Sequence, residues 1–471
     1  MRRRIRYVIP LGTIAGIIAL LCALFSPIAA TSYAAQGDPS AGSGDWTTYM
    51  YSTTRHGFNT AETVINANTV ANLKLKWIHT ASGLIFSQPV VSNGIIYWGS
   101  GDGFEHATAL NNGKVWTDFL GTTQSTCKGD TTGVVSTATV APVTIGGKTT
   151  SVAFVGGGDA HMYALNAATG AVIWRISLGS SPSHFLWSSP LVYQGKVYEG
   201  VASLDDCPLV QGQLVQLDAA TGNILHTFNI VPNGCVGGGL WGSPTLDQAD
   251  NAMYFATGNP GSCSQSEPYA IALVKVRASD LSYVSSWQIP SSEQVSDGDF
   301  GATPTLFKAN IGGTTHQMVG VGNKNGIYYG FDRTSISKGP LWRAKIACPD
   351  CPSRGILAPA AWDGATLFVG TRNTTISGAS CQGGLFALKP ATGASLWQHC
   401  LRDGPVFGAV SLVRGVAIVG DGPYFLAIST AGGQTLFRYL ASGETFLGSA
   451  SISHGVLYFG STAGKLYAFA P

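Results

Sequence analysis

Eight times along this chain a short strand ending in glycine or another small residue turns into a second strand, and no other feature restricts its fold as much. "GIIYWGS", "VAFVGGGD", "TLFVGTRN" and "VLYFGSTAG" are four of the eight. Each is preceded by a strand of the "SQPVV" or "SSPLV" kind. Most are followed by an Ala-Leu strand, a Thr-Gly turn and a fourth strand carrying tryptophan, as in "AVIWRIS" and "ASLWQHC". Alternating apolar positions broken by Gly and Asn turns are the pattern of antiparallel strands. Repeats of this kind bury their apolar faces only by stacking on neighbours.

The eighth unit stops early: "KLYAFAP" is its third strand, and the chain ends there. The missing Trp-bearing strand stands at the other end of the repeats, as "LKLKWIH" around Trp77. A ring fastened by pairing these two segments explains both facts and leaves no exposed sheet edge. The expected fold is therefore all-β, an eight-bladed propeller over residues 45–471, each blade four antiparallel strands, the last closed by an N-terminal strand. The segment between Asp45 and Val70 is expected to pack over the outside or rim of the ring.

Only 11% of residues are charged, while glycine numbers 61 and aromatics reach 10%, a β-rich composition rather than a helical or disordered one. Arg2, Arg3, Arg4 and Arg6 precede an uncharged apolar run, which reads as a secretory signal over residues 1–34 or as a membrane anchor, followed by a linker over 35–44. The paired arginines hint at twin-arginine export. Without those four arginines, 23 basic residues face 25 acidic ones, and no basic stripe suggests nucleic acid. A secreted or cell-envelope protein, extracellular or periplasmic, is expected. Beyond the signal, eight cysteines remain: Cys127, Cys207, Cys235, Cys263, Cys348, Cys351, Cys381 and Cys400. Their even number outside the cytosol suggests disulfides of undefined pairing, expected in loops on one face of the ring. "CPDCP" is not followed by His, so it is no c-type haem site.

In a propeller, the loops after each second strand and those between blades open on one face. Asp205 and Asp206 follow the second strand of blade three, Asn259 that of blade four and Lys324 that of blade five. Trp241 opens the inner strand of blade four, and Asp299 lies between blades four and five. Carboxylates from two blades plus an amide oxygen form a hard donor set suited to Ca²⁺. A lysine could hold a ligand's carboxylate or carbonyl, and an indole could stack beneath a flat ring. Each residue also has a plain reading: Asp205 and Asp206 as a solvated turn, Asn259 before Pro260 as a turn former, Asp299 as a loop cap, Trp241 as packing, Lys324 as a turn residue. His106, His161 and His184 are scattered and read as structural, and no Ser/His/Asp grouping suggests a hydrolase.

The blades resemble the pyrroloquinoline quinone (PQQ) propeller repeat: a Tyr-x-Gly strand, a turn, an Ala-Leu-Asp strand, Thr-Gly, then Trp. "LWGSPTLDQADNAMYFATGNPG" resembles the segment of PQQ-dependent alcohol dehydrogenases carrying a ring-stacking Trp and, eighteen residues on, a calcium-binding Asn. These map onto Trp241 and Asn259. "DFGATP" resembles the segment of the catalytic base, mapping onto Asp299, and "GNKNGIYYGFDR" the cofactor-contacting turn, mapping onto Lys324. "VYEGVASLDDC" resembles the calcium-binding segment as polyvinyl-alcohol-dehydrogenase-like members show it, with Asp205 and Asp206 equally eligible.

The resemblance implies PQQ and Ca²⁺ as cofactors, an alcohol as substrate, Asp299 as general base and ligand, a separate electron acceptor, and a monomer. The chain departs from the family in having no Cys-Cys pair, no clear early-blade arginine, and Asp in place of the ligand Glu. Gly301 stands two residues after Asp299 and Asp297 two before it, so a lanthanide preference is not indicated. The alternatives are a non-catalytic propeller acting as a cell-envelope scaffold, or one that binds another ligand such as a carbohydrate.

Overall fold

The computed structural model describes residues 44–348 and 355–471. The signal or anchor segment, nearly all of the linker, and Cys351 lie outside the described residues. Eight four-stranded antiparallel sheets follow one another along the chain, seven of them built from consecutive strands, as the repeat predicts. Their innermost strands are Val90–Ser92, Thr139–Ile145, Leu191–Tyr193, Thr245–Asp247, Thr305–Ile311, Ala361–Trp362, Ser411–Val413 and Ser451–Ser453, in blades one to eight. Blade three gains a short extra pairing of His184–Phe185 against Ala202 and Ser203. In blade eight the outer strand is Lys74–Thr80, paired antiparallel with Lys465–Ala470, so the ring is latched by its two ends. Among the described residues the helices are three-residue 3₁₀ turns, and no helix is long and apolar enough to cross a membrane.

The repeat's tryptophan is a rivet between blades. Trp77 Nε1 donates to Leu110 O, Trp116 to Ala167 O, Trp174 to Ala219 O, Trp342 to Pro390 O and Trp397 to Thr430 O, each bond reaching the next blade. The Thr-Gly turn makes room for the ring. A Cβ on Gly170, Gly222, Gly393 or Gly433 would lie within 2.4–2.9 Å of the incoming indole, and all four have positive φ. Sequence period and packing therefore have one cause.

Residues 46–59 of the segment before Trp77 are not on the outside or rim of the ring, as the sequence reading expects. They enter the central channel and bond to the inner strands of seven blades, while Val70–Asn72 packs beside the outer strand of blade seven, Thr435–Leu440. Trp46 pairs with Val91 in both directions, and Val140, Leu246, Leu306 and Trp362 donate their amides to Thr47, Thr53, Thr54 and His56. Leu412 donates to Gly57 O, Asn59 N returns a bond to Leu412 O, and Asn59 Nδ2 reaches Ile452 O. Trp46, Met50 and Arg55 are wholly buried. Inner strands are short and turn their free edge to the channel, so their unpaired amides need acceptors that only another segment can bring.

Candidate functional site

All six residues singled out above line one cavity of about 370 Å³: Asp205, Asp206, Trp241, Asn259, Asp299 and Lys324. Two loops build it. The turn Thr257-Gly258-Asn259-Pro260 is stitched to the approach of its own blade, with Gly258 N donating to Gly239 O and Gly238 N to Asn259 O. Gly237 and Gly238 adopt φ of 110° and 66°, which lets two backbone runs lie side by side. The loop carrying Asp299 is held to blade five through Lys324 N to Asp299 O (3.3 Å) and Asn323 Nδ2 to Gly298 O (2.9 Å).

Asp299 is the hub. Its Oδ2 accepts the Trp241 indole N–H at 3.0 Å, and its Oδ1 stands 2.6 Å from Lys324 Nζ as an ion pair without hydrogen-bond alignment. Burial pushes the Asp299 carboxyl above the ordinary range, while Lys324 and the indole N–H pull it back. Burial alone would lower the Lys324 ammonium, but Asp299 and Asp297 outweigh it and its pKa is raised. The two side chains form a salt bridge that is largely buried. Lys324 Nζ also lies 5.1 Å from the centre of the Trp241 ring.

Trp241 rests on Gly301: a Cβ there would come within 2.1 Å of the indole. Gly301→Ala is therefore expected to push the ring off its seat and break its bond to Asp299, costing about 1–3 kcal/mol. Urea unfolding reads this directly, and a loss under about 0.5 kcal/mol would show that the ring is not seated there.

The two adjacent aspartates separate in the fold. Asp205 pairs with Lys128 at the rim (2.7 Å). Asp206, at φ 59°, has its carboxyl raised by burial, lowered by Lys324 and raised by Asp297 and Asp205, which places it in the field of the inner cluster. Asp297 is the residue that sequence reasoning left out of the site. Its Oδ1 accepts both Lys324 Nζ (2.9 Å) and Asn259 Nδ2 (2.8 Å), joining blades four and five. The signal for it was a second acid two residues before Asp299 in an Asp-Gly turn.

Asn259 gives its amide nitrogen to Asp297, which leaves its oxygen as the atom for a cation. Among the described residues no three His, Cys, Asp or Glu side chains gather closely enough to hold a metal. Asp206, Asp299 and the Asn259 side chain line the same cavity and offer it hard oxygen atoms. The volume is that of a small-molecule pocket.

Two disulfides brace the rim, Cys127–Cys207 between the connection from blade one to blade two and a loop of blade three, and Cys235–Cys263 within the Asn259 region; Cys381–Cys400 lies in blade six. Thr126 Oγ1 also bonds Cys207 O beside the Lys128–Asp205 bridge. Two Ser–His contacts exist elsewhere among the described residues: Ser183 Oγ lies 3.0 Å from Nδ1 of its chain neighbour His184, and Ser100 Oγ lies 2.9 Å from His106 Nε2. Asp102 bonds the serine rather than the imidazole, and Ser100 is buried, so no nucleophilic triad is formed.

A closed eight-bladed ring with a polar, indole-floored cavity at one mouth is the architecture of a PQQ-like repeat propeller. The family model described as outer membrane protein assembly factor BamB, a PQQ-like repeat family, matches residues 115–261 and 326–471. The chain belongs to this PQQ-like repeat family. Its curated relatives include polyvinylalcohol dehydrogenases of a Pseudomonas sp. (24% identical over 329 residues, 59% of this chain and 50% of the relative) and of Sphingopyxis sp. strain 113P3 (25% over 427 residues, 78% and 63%). The chain thus spans half to under two-thirds of the length of these relatives. Among solved structures, quinohemoprotein alcohol dehydrogenase from Comamonas testosteroni superposes with a TM-score of 0.74 at 18% identity, over 92% of this chain and 81% of that one. BamB from Moraxella catarrhalis superposes with 0.56 at 16% identity, over 85% and 100%. These likenesses establish the fold.

Proposed function

We propose that the protein is a secreted or cell-envelope quinoprotein oxidoreductase that oxidises an alcohol, small or polymeric, with PQQ and Ca²⁺. The observation that carries this reading is the convergence on Asp299: a buried carboxyl paired with Lys324 and bonded by the Trp241 N–H, in a cavity that also presents Asp206 and the Asn259 side chain. When bound, the quinone would accept a hydride, with the cation polarising its carbonyl, and electrons would pass on to a separate acceptor.

The chain's own residues do the rest. Trp241 would support the flat ring from below, and Lys324 would meet a cofactor oxygen. Asp206, Asn259 and Asp299 would hold the cation. An Asp299 oxygen would take the proton of the substrate hydroxyl, and the burial that raises its pKa makes it a stronger base than a solvated carboxylate. Asp297 keeps Lys324 and the Asn259 amide in register.

The test is reconstitution. With PQQ and CaCl₂ added, dye reduction by primary and secondary alcohols is expected, dependent on both additions. Saturating PQQ at about 100 times its Kd should stabilise the fold by about 2.7 kcal/mol. No turnover together with no thermal shift would favour the second reading, a non-catalytic envelope scaffold, which the description of the matching family supports.

A further inference from the structure

A second cavity, of about 500 Å³, lies at the opposite end of the channel and is used by nothing described so far. The inner strands of blades four and five run from the Trp241 and Asp299 mouth down to Asp247 and beyond Leu306, and the cavity opens there. Its walls are the turns below these strands, Trp362 of blade six, and Thr54 and His56 of the channel segment.

Three features define its chemistry. Arg333 is buried, its guanidinium bonded to Asp247 and to Gln317 Oε1, which line the cavity beside it, and its Nε–H finds no acceptor in the protein. A buried donor of this kind wants a partner. Next, the charges do not cancel. Arg333 is matched by Asp247 and Asp250 by Lys275, while Lys308, at the rim, has no ion-pair partner among the described residues. His56 is held neutral, since burial pushes it down to about 4. Finally, one wall is apolar: Leu306, Phe307 and Trp362, with the last two rings 5.7 Å apart. The unused groups are thus donors and cations beside a hydrocarbon and aromatic surface.

We propose that this cavity binds a small organic carboxylate, its anionic end on Arg333 and Lys308 and its apolar body against Phe307 and Trp362. A bare inorganic anion would leave the apolar wall unused, and a neutral aromatic would leave the Arg333 donor unmet. The site is separate from the redox pocket and stands whether or not the quinone reading does.

Isothermal titration with benzoate tests it, with benzamide and inorganic phosphate as comparison probes. One benzoate per chain is expected, with a Kd of about 1 mM or tighter. Benzamide, the same shape without the charge, should bind at least about tenfold more weakly, and phosphate should not compete at equal concentration. Lys308→Glu, at an exposed position that should fold normally, is expected to weaken benzoate about tenfold, as is Arg333→Lys if its melting curve stays cooperative. Lys324→Gln, in the redox pocket, should leave benzoate binding unchanged. The proposal is overturned by absence of benzoate binding at about 10 mM, by equal binding of benzamide, by full competition from phosphate, or by loss in Lys324→Gln with retention in Lys308→Glu.

Discussion

Asp299→Asn is expected to lower kcat about 10²–10⁴-fold in the reconstituted protein while leaving PQQ affinity within a few-fold of the parent. The substitution keeps the shape, and the amide oxygen can still accept the Trp241 N–H at the position of Oδ2. It removes the carboxylate proposed as the base. Lys324 keeps Asp297 as a counter-charge, so the pocket is not left with an unpaired buried ammonium and the fold should survive. Steady-state dye reduction gives kcat, and titration of the quinone absorbance gives affinity. A variant turning over within tenfold of the parent would remove Asp299 from the role of base. A variant that loses the quinone altogether would make the residue chiefly a ligand.

The second large effect belongs to the channel segment. Arg55→Ala is expected to destabilise the propeller by about 3 kcal/mol or more. Arg55 is fully buried, its Nε donates to Pro244 O at 3.0 Å, and one terminal nitrogen donates to Tyr49 O at 2.6 Å and Thr48 Oγ1 at 3.2 Å. Removing it strands those oxygens and opens a void at the centre of the ring. Glu199 adds to the loss: burial raises its carboxyl well above the ordinary range, and the Arg55 charge is among the influences that hold it down. Guanidinium unfolding would show the midpoint falling. A shift worth less than about 1 kcal/mol would mean that the segment covers the channel without contributing to its stability.

The blades and their number were legible because a β-repeat writes the same local problem eight times. Each strand must pair with the next, each turn needs its glycine, and each Trp must find the following blade's turn, as Trp174 finds Ala219 beside Gly222. The site was legible for a related reason. Once strand order is known, the residue after a second strand and the residue before an inner one share a face, and that was enough to bring Trp241, Asn259, Asp299 and Lys324 to one mouth.

What stayed hidden is what happens once. Asp205 and Asp206 are neighbours of the same type, and only the left-handed backbone at Asp206 and the Lys128 bridge to Asp205 tell them apart. Asp297 looked like a turn residue until Lys324 and Asn259 arrived from two different blades. The pairing of Cys127 with Cys207 spans 80 residues and follows from which loops abut. The channel segment has no repeat at all; its path depends on inner-strand amides from six blades and a carbonyl from a seventh. Periodic contacts between sequence neighbours leave a pattern in the chain, whereas a single contact between distant segments takes its meaning from the closed ring and can be read only there.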